Sequence, residues 1–357
     1  MHVNQINKVG LALTGGGAKG AYHVGAIRAL SELHIKVDAV AGASIGALNG
    51  AIVASAVDMA SGYRQLQNVW GSLASEQVLQ LSSQAPVYFS ILGALAAVRG
   101  VPLLSGGAML INRLAEVCGV DWAAGNTHLL DDKPLINKLE QYTSPEALRN
   151  GLPMYASVYE SSGGLGDLAK LFGAALRLVN TQDSEFIHLQ SLSDPEMQQI
   201  LLASAALPLL FKSRNIRGKS YTDGGQGDWW GVGGNTPVKP LVDAGCSTVI
   251  IVHLCDGCMW DRQKYPDLNV IEIRPTSSIN RSGEISDLLG FDATRIDSWI
   301  DQGYQDSMKT LRRIIEVSEA NEGLTFSEQA LMDSFKVNQD ADKALRDAMN
   351  RIKRYSR

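Results

Sequence analysis

The sequence is poor in cysteine and has no excess of positive charge. Its 357 residues carry 32 Lys and Arg against 37 Asp and Glu, a net charge of -5. It therefore lacks the clustered cations with which a general nucleic-acid binder contacts phosphates. Four cysteines do not make a disulfide framework. The pair Cys255 and Cys258 forms a lone C-x-x-C, which is an incomplete zinc site. We expect two ordinary thiols there and no metal.

Long apolar runs are also missing. No stretch reaches the roughly 18 residues that a membrane-spanning helix needs. The nearest one, Phe89 to Leu104, is interrupted by Arg99, Gly100 and Pro102. A buried helix and a hydrophobic surface that docks on lipid both fit this stretch. The N-terminus lacks the charged and then apolar organisation of a secretory signal, so we expect a cytoplasmic protein.

Strand and helix signals alternate at the start of the chain. A strand in "KVGLALTG" precedes a helix over Ala18 to Leu33, and a strand in "VDAVAGAS" precedes a helix after Ser44. This alternation is typical of an α/β fold with a parallel sheet covered by helices. Further strands are predicted in "PMYASVYE", "SEFIHLQ", "KSYTDGG", "STVIIVHL" and "NVIEIRP", and a helix in "DPEMQQILLASAA".

We predict one domain over residues 1–320 and a polar helical tail over residues 321–357. Residues 61–143 are mostly helical in pattern, and we interpret them as an insertion that covers the site. A long helix is expected over Arg295 to Glu319.

The segment "TGGGAKG", Thr14 to Gly20, lies between the first strand and the first helix, where a glycine loop can hold an anion. Gly15, Gly17 and Gly20 fit the dinucleotide fingerprint G-x-G-x-x-G, but the next strand ends in Gly-Ala-Ser instead of the acidic residue that holds the ribose. A phosphate-binding P-loop would need G-K-[ST], which is absent. An oxyanion is the remaining candidate anion.

The second strand ends in "GASIG", Gly42 to Gly46, which fits the nucleophile elbow G-x-S-x-G. Glycines at both ends of this motif keep side chains away from the adjoining strand and helix, so that the Ser44 hydroxyl is exposed at the turn. An activated serine needs N–H groups aimed at the developing oxyanion, and a glycine loop at a helix start supplies them. Adjacent parallel strands would bring both motifs to one edge of the sheet.

The combination of "GGGAKG", "GASIG" and a later "DGG", Asp223 to Gly225, resembles the patatin-like phospholipase family. Weaker echoes are "ASAALPLLF" before the third motif and "NTPV" after it, and the resemblance extends over about residues 8–315. It implies a three-layer α/β/α core with a mainly parallel central sheet and a helical insertion.

The resemblance also implies a mechanism. Ser44 would be the nucleophile and Asp223 its base, in a dyad that forms an acyl-enzyme. The amides of Gly16 and Gly17, with help from their neighbour Gly15, would hold the oxyanion, and Lys19 would contact a headgroup phosphate. The expected activity is phospholipase A-type cleavage of membrane phospholipids without metal or organic cofactor.

Several partners follow from the same resemblance. We expect peripheral contact with the inner membrane, and the net charge of -5 independently argues against a nucleic-acid polymer as partner. Some bacterial members are defence effectors that a cyclic nucleotide activates, so a small-molecule activator is compatible with this chain. The loop "QGDWWGVGG", Gln226 to Gly234, carries Trp229 and Trp230, which fit either a lipid interface or ordinary packing. The oligomeric state is not determined by the sequence.

Two alternatives stay open at this point. His253 follows Asp223 and gives the order Ser, Asp, His of an α/β-hydrolase triad. A carboxylesterase that uses His253 would lose activity when this histidine is replaced. The other alternative is a catalytically silent lipid-binding protein, in which Ser44 would not react with a fluorophosphonate.

Overall fold

The structure is a computed structural model. It describes residues 8–75, 141–163, 167, 170, 180–206, 213–228, 230–255, 260–279 and 293–355, with the backbone alone for parts of the last range. Most of the predicted insertion, residues 76–140, lies outside these ranges, and so does Trp229. The chain forms two compact units, Met1–Ser307 and Met308–Arg357. The predicted domain boundary at residue 320 stays a prediction.

The first unit contains an eight-stranded sheet. Its strands are β1 (Val9–Leu13), β2 (Ala39–Ala43), β3 (Met154–Glu160), β4 (Glu185–His188), β5 (Arg214–Ile216), β6 (Lys219–Asp223), β7 (Thr248–Val252) and β8 (Asn269–Ile273). The described part of the whole chain contains the α-helices α1 (Ala21–Glu32), α2 (Ile45–Ser55), α3 (Met59–Ser75), α4 (Pro145–Asn150), α5 (Asp194–Ser204), α6 (Lys239–Asp243) and α7 (Ala293–Tyr355).

The sheet has the order β5-β6-β3-β2-β1-β7-β8. Strands β3, β2, β1, β7 and β8 run parallel to one another. Strands β4 and β6 both pair antiparallel with β3, β4 along its first part and β6 along its last part, and β5 pairs antiparallel with β6. The sheet is therefore mainly parallel, as predicted, with an antiparallel edge.

Helices cover both faces of this sheet. Alternate residues of a strand face opposite sides, and the two sides meet different helices. On one face Ala12, Ala41 and Val249 share a buried core with Leu241 of α6. On the other face α2 packs so closely that a Cβ at Gly50 would lie 3.1 Å from Val40. This arrangement confirms the predicted three-layer α/β/α class.

Helix α7 joins two segments that the sequence analysis kept apart. We predicted a helix from Arg295 to Glu319 and a separate polar helical tail over residues 321–357, whereas α7 runs without a break from Ala293 to Tyr355. The last proline of the chain is Pro275, so no residue of this segment removes a backbone donor or clashes with the preceding turn. Gly323 lowers helix propensity without ending the helix.

The prediction for the cysteine pair is wrong at Cys255, which is disulfide-bonded instead of carrying a free thiol. Cys258 lies outside the described residues. Cys246 is a buried free thiol.

Candidate active site

Ser44 lies at the turn between β2 and α2 and has an unusual backbone conformation. Its φ of 52° and ψ of -127° fall in a region that L-residues rarely adopt. Its backbone N–H donates to Ser204 Oγ at 3.1 Å, and its carbonyl accepts the N–H groups of Ala47 and Leu48 in α2. The turn therefore has the strained geometry of a nucleophile elbow, and surrounding hydrogen bonds hold it in place.

The glycines of the elbow are required by close backbone approach. A Cβ at Gly42 would lie 2.3 Å from the carbonyl oxygen of Gly46, and a Cβ at Gly46 would lie 2.2 Å from that of Leu13. Both distances are far below van der Waals contact with atoms of the main chain, which cannot rotate away. We predicted that glycines keep side chains away from the adjoining strand and helix. The packing agrees with this, because β1, β2 and α2 come together here without space for side chains.

The glycine loop lies directly beside Ser44. Strand β1 pairs with β2 in a register that joins Leu13 to Gly42, so both loops leave the same edge of the sheet. A Cβ at Gly15 would lie 3.0 Å from the Cβ of Ser44. Thr14 fixes the start of the loop, since its hydroxyl donates to the Val252 carbonyl and accepts from the Leu254 N–H.

The three loop amides do not have the same environment. The Gly15 N–H donates to Asn235 Oδ1 at 3.0 Å. Gly16 is the N-cap and Gly17 the first residue of a short 3-10 helix, Gly17–Gly20, so their N–H groups have no acceptor within that helix. Gly17 adopts a φ of 58°, which suits glycine. Gly16 and Gly17 are therefore better placed than Gly15 to receive an oxyanion.

Asp223 reaches the same place from the other side of β3. Ala43 pairs with Ser157 of β3, and the next β3 residue, Val158, pairs with Asp223 at the end of β6. Ser44 and Asp223 thus flank the carboxyl end of one strand, although they are 179 positions apart in the sequence.

The Asp223 carboxylate is almost fully buried, at 3% exposed. Its Oδ1 accepts the Gly225 N–H at 2.8 Å, and its Oδ2 has no partner with normal hydrogen-bond geometry. Burial raises the pKa of Asp223 from 3.8 to about 6, against smaller lowering effects of the Ser44 hydroxyl and the Gly225 N–H. The hydroxyl thus interacts with the carboxylate, and we interpret the contact as close but not fully formed, as is common when no substrate is bound.

His253 is engaged elsewhere. Its Nε2 lies 3.0 Å from Glu272 Oε2, and because a carboxylate only accepts, this nitrogen carries the proton. Burial lowers the pKa of His253 in spite of Glu272, so the contact is a hydrogen bond from a neutral imidazole. The strands that lead to Asp223 and His253 are four spacings apart in the sheet, or about 19 Å at the usual strand separation. A histidine at this distance cannot bridge Ser44 and Asp223.

Lys19 is half-buried in the short helix that follows the glycine loop. The carbonyl of its neighbour Gly20 accepts from Asn49 Nδ2 at 3.0 Å, and Asn49 Oδ1 accepts from Trp70 Nε1 at 3.0 Å. Asn49 belongs to α2, so this buried amide holds the end of the glycine loop on the helix that begins at Ser44.

Three polar residues near the site were not predicted as site residues, although Ser204 and Asn235 lie in the segments "ASAALPLLF" and "NTPV" that echo the family. Ser204 donates to the Ser157 carbonyl at 2.6 Å while it accepts the Ser44 N–H. Asn49 and Asn235 contact the glycine loop from two sides. Their partners are distant in the sequence, so the contacts themselves are seen only in the folded chain. Among the described residues, no group of three or more His, Cys, Asp and Glu is arranged to hold a metal ion.

The loop over residues 226–234 is organised around Asp228. Its carboxylate accepts from Asn180 Nδ2 at 2.9 Å and from Lys264 Nζ at 3.1 Å. Trp230 is 49% exposed. Of the helices in the described ranges, none has the length and apolar content for a membrane crossing.

Comparisons with known proteins agree with these motifs. The family model described as patatin-like phospholipase matches residues 11–242. Lysophospholipase NTE1 of Mycosarcoma maydis is 45% identical over 67 residues, which are 19% of this chain and 4% of that protein. Neuropathy target esterase sws of Drosophila melanogaster is 43% identical over 75 residues, 21% of this chain and 5% of that protein. The match therefore spans only a small part of these much longer relatives.

Two solved structures are similar over most of the chain. The match to the crystal structure of VipD from Legionella pneumophila covers 86% of this chain and 67% of the VipD chain, with 16% identity and a TM-score of 0.44. The match to a chain of the ExoU–SpcU complex of the type III secretion system of Pseudomonas aeruginosa covers 86% of this chain and 52% of that chain, with 17% identity and a TM-score of 0.35.

Proposed function

The chain belongs to the patatin-like phospholipase family, and on that premise we propose that it is a serine lipid acyl hydrolase with Ser44 as nucleophile and Asp223 as base. The family and its relatives, which are named lysophospholipase and esterase, indicate a lipid ester hydrolase. The observation that carries the dyad is a buried carboxylate whose pKa is raised to about 6 and which interacts with the hydroxyl of Ser44 at the strained turn.

The proposed reaction has two halves. In the first, Asp223 takes the proton of the Ser44 hydroxyl while Oγ bonds to the ester carbonyl carbon, and the amides of Gly16 and Gly17 hold the oxyanion. The ester C–O bond then breaks, and the leaving alcohol takes the proton from Asp223. In the second half, Asp223 takes a proton from water, which attacks the acyl-enzyme, and Ser44 recovers its proton as the fatty acid leaves.

A carboxylate with a pKa near 6 suits this work. At neutral pH it is mostly ionised and available as a base, yet it accepts a proton more readily than an exposed aspartate does. Its protonated form is also the form that burial favours, so proton transfer from Ser44 relieves a buried charge. The unpaired Oδ2 supplies a free lone pair for this proton.

The proposed substrate is membrane phospholipid or lysophospholipid at the surface of the inner membrane. It is supported by the family and by the exposed Trp230, which lies in the loop that begins beside Asp223. Indole rings favour the boundary between water and lipid. Lys19 is proposed to contact the headgroup phosphate, and the chain to work from the cytoplasmic side.

Activation by a cyclic nucleotide, in the setting of bacterial defence, is a further part of the proposal. Its support is membership of the family, some bacterial members of which are regulated in this way. Hydrolysis measured with and without cyclic mono- and dinucleotides tests it, and equal rates in all samples would contradict it.

The experiment for the main proposal is mass spectrometry of lipid products. Wild type and Ser44→Ala are incubated with vesicles of phosphatidylcholine with phosphatidylglycerol, and separately with lysophosphatidylcholine. Wild type should release free fatty acid from at least one of these lipids and Ser44→Ala from none. Release by both proteins would contradict the role of Ser44, and release by neither would favour a silent lipid-binding protein.

A further inference from the structure

Asn235 occupies the point where the three parts of the site meet. Its Oδ1 accepts the Gly15 N–H at 3.0 Å. A Cβ added to Gly15 would lie 2.5 Å from this oxygen and 3.0 Å from the Ser44 Cβ. A Cβ added to Gly225 would lie 3.0 Å from the same oxygen and 3.0 Å from Asp223 Oδ1. One side-chain oxygen thus lies close to the glycine loop, the nucleophile and the base.

These distances have a simple consequence. The two oxygens, Asn235 Oδ1 and Asp223 Oδ1, can be no further apart than twice 3.0 Å. Both point at donors of the main chain, Asn235 at the Gly15 N–H and Asp223 at the Gly225 N–H. The side chains therefore lie side by side, one fixing the glycine loop and the other fixing the turn that carries the base.

The backbone of Asn235 is itself held firmly. The preceding residue, Gly234, donates its N–H to the Gly227 carbonyl at 3.0 Å, and its carbonyl accepts from Ser157 Oγ at 2.7 Å. A Cβ at Gly234 would lie 2.4 Å from the carbonyl oxygen of Gly224. Asn235 is thus anchored on β3 and on the turn after Asp223, so its side chain reaches the glycine loop from a fixed point.

We propose that Asn235 is a positioning residue which, by accepting the Gly15 N–H, sets the glycine loop at the distance from Ser44 and Asp223 that oxyanion binding requires. This inference rests on the proposed hydrolase function. The bond turns the Gly15 amide towards Asn235 and leaves the amides of Gly16 and Gly17 for the substrate. Gly15, which the sequence suggested as an oxyanion donor, has a structural role in this account.

Two variants of similar shape separate the acceptor from the volume of the side chain. Asn235→Leu removes the acceptor, and Asn235→Asp keeps it. Asn180→Leu is the control, because Asn180 accepts the Trp230 N–H and donates to Asp228 in the loop just before Asn235, but has no hydrogen bond to the glycine loop. For each protein we would measure kcat and KM on a soluble ester from pH 5 to 9, and hydrogen exchange of the segment 14–20 in the intact chain.

Asn235→Leu is expected to lower kcat by about 10²-fold with little change in KM, because a small misplacement of stabilising groups has effects of that order. Its Gly15 amide should exchange faster than in wild type. Asn235→Asp should keep slow exchange and recover kcat at pH 8.5 to within about tenfold of wild type. Its activity should begin to fall at a higher pH, because a second carboxylate beside Asp223 disfavours ionisation of the pair. Asn180→Leu should change neither kcat nor exchange.

Wild-type kcat in Asn235→Leu, or unchanged exchange at Gly15 in that variant, would overturn the proposal. A kcat for Asn235→Asp at pH 8.5 as low as that of Asn235→Leu would overturn it as well. If Asn235→Leu does not fold, Asn235→Asp still tests the proposal. A pH profile of kcat like that of wild type, or faster hydrogen exchange of the Gly15 amide, would contradict the acceptor role. A wild type without any esterase activity would instead refute the hydrolase function, and exchange would still test the Gly15 contact.

Discussion

Replacement of Asp223 by asparagine should stabilise the protein above pH 6 while it abolishes hydrolysis. The pKa of Asp223 is raised from 3.8 to about 6 by burial. Between these two values the folded chain keeps a proton that the unfolded chain releases, so the stability of the wild type falls as pH rises through this window. A shift of one pKa unit corresponds to about 1.36 kcal/mol. The raised pKa of Asp223 therefore lowers the free energy of unfolding by about 3 kcal/mol at pH 8 and by about half of that at pH 5.

Asparagine has no charge to bury and can still accept the Gly225 N–H. We therefore expect the stability difference between Asp223→Asn and wild type to become more favourable to the variant by about 1.5 kcal/mol from pH 5 to pH 8. Urea unfolding at both pH values, extrapolated to water, measures this difference. A difference that is equal at the two pH values, or that moves in the opposite direction, would refute the raised pKa and with it the tuning of the base.

Asp228 provides a matched control for this experiment. It is also buried, but hydrogen bonds from Asn180 and Lys264 outweigh burial and hold its pKa below the ordinary value. A lowered pKa means that the carboxylate contributes stability above the unfolded pKa, and that this contribution is lost only in strong acid. Asp228→Asn should therefore be less stable than wild type at pH 5 and at pH 8, by a similar amount.

Other predictions concern the base, the elbow and its glycines. The kcat/KM for a soluble ester should fall about tenfold per pH unit below pH 6 and be level from pH 7 to 8, because only ionised Asp223 accepts the proton; a profile that is flat from pH 5 to 8 would contradict this. Ser44→Gly should be more stable than Ser44→Ala by about 1 kcal/mol in urea unfolding, since glycine adopts positive φ without strain, and equal stability would speak against a strained elbow. Gly46→Ala should lose about 3 kcal/mol or more, because its methyl group meets the backbone of Leu13. The control Gly71→Ala, which has free space in α3, should be neutral or slightly stabilising, and equal behaviour of the two glycines would contradict the packing argument.

Much of the fold could be predicted from the sequence because local signals and tertiary structure agree there. Strand β1, the glycine loop, β2 and the elbow follow one another with consistent patterns, and parallel pairing brings the two loops to one edge. Strand β5, Arg214–Ile216, was not predicted, because three residues at a sheet edge have no distinct pattern. The continuity of α7 was missed, because we divided it into a helix and a helical tail where the composition becomes polar, and such a change does not end a helix without a residue that breaks it.

The candidate site was predicted in part for a similar reason. Ser44 and Asp223 lie in short motifs, so their types and neighbours point to a role before any contact is known. Asn235 and Ser204 lie in the weaker echoes "NTPV" and "ASAALPLLF", which suggest no role, and their partners Gly15 and Ser44 are far away in the sequence. The different environment of the Gly15 amide also depends on Asn235, and the spacing of the motifs does not show that contact.

The most direct test of the dyad is the rate at which a fluorophosphonate labels Ser44, followed by mass spectrometry of the intact protein and its peptides. Wild type should gain one label on Ser44, Ser44→Ala should gain none, and Asp223→Asn should react at least about 10²-fold more slowly because the hydroxyl has lost its base. His253→Gln, which can still donate to Glu272, should react like wild type. Labelling of Asp223→Asn at the wild-type rate, or loss of labelling in His253→Gln with the fold intact, would contradict the account.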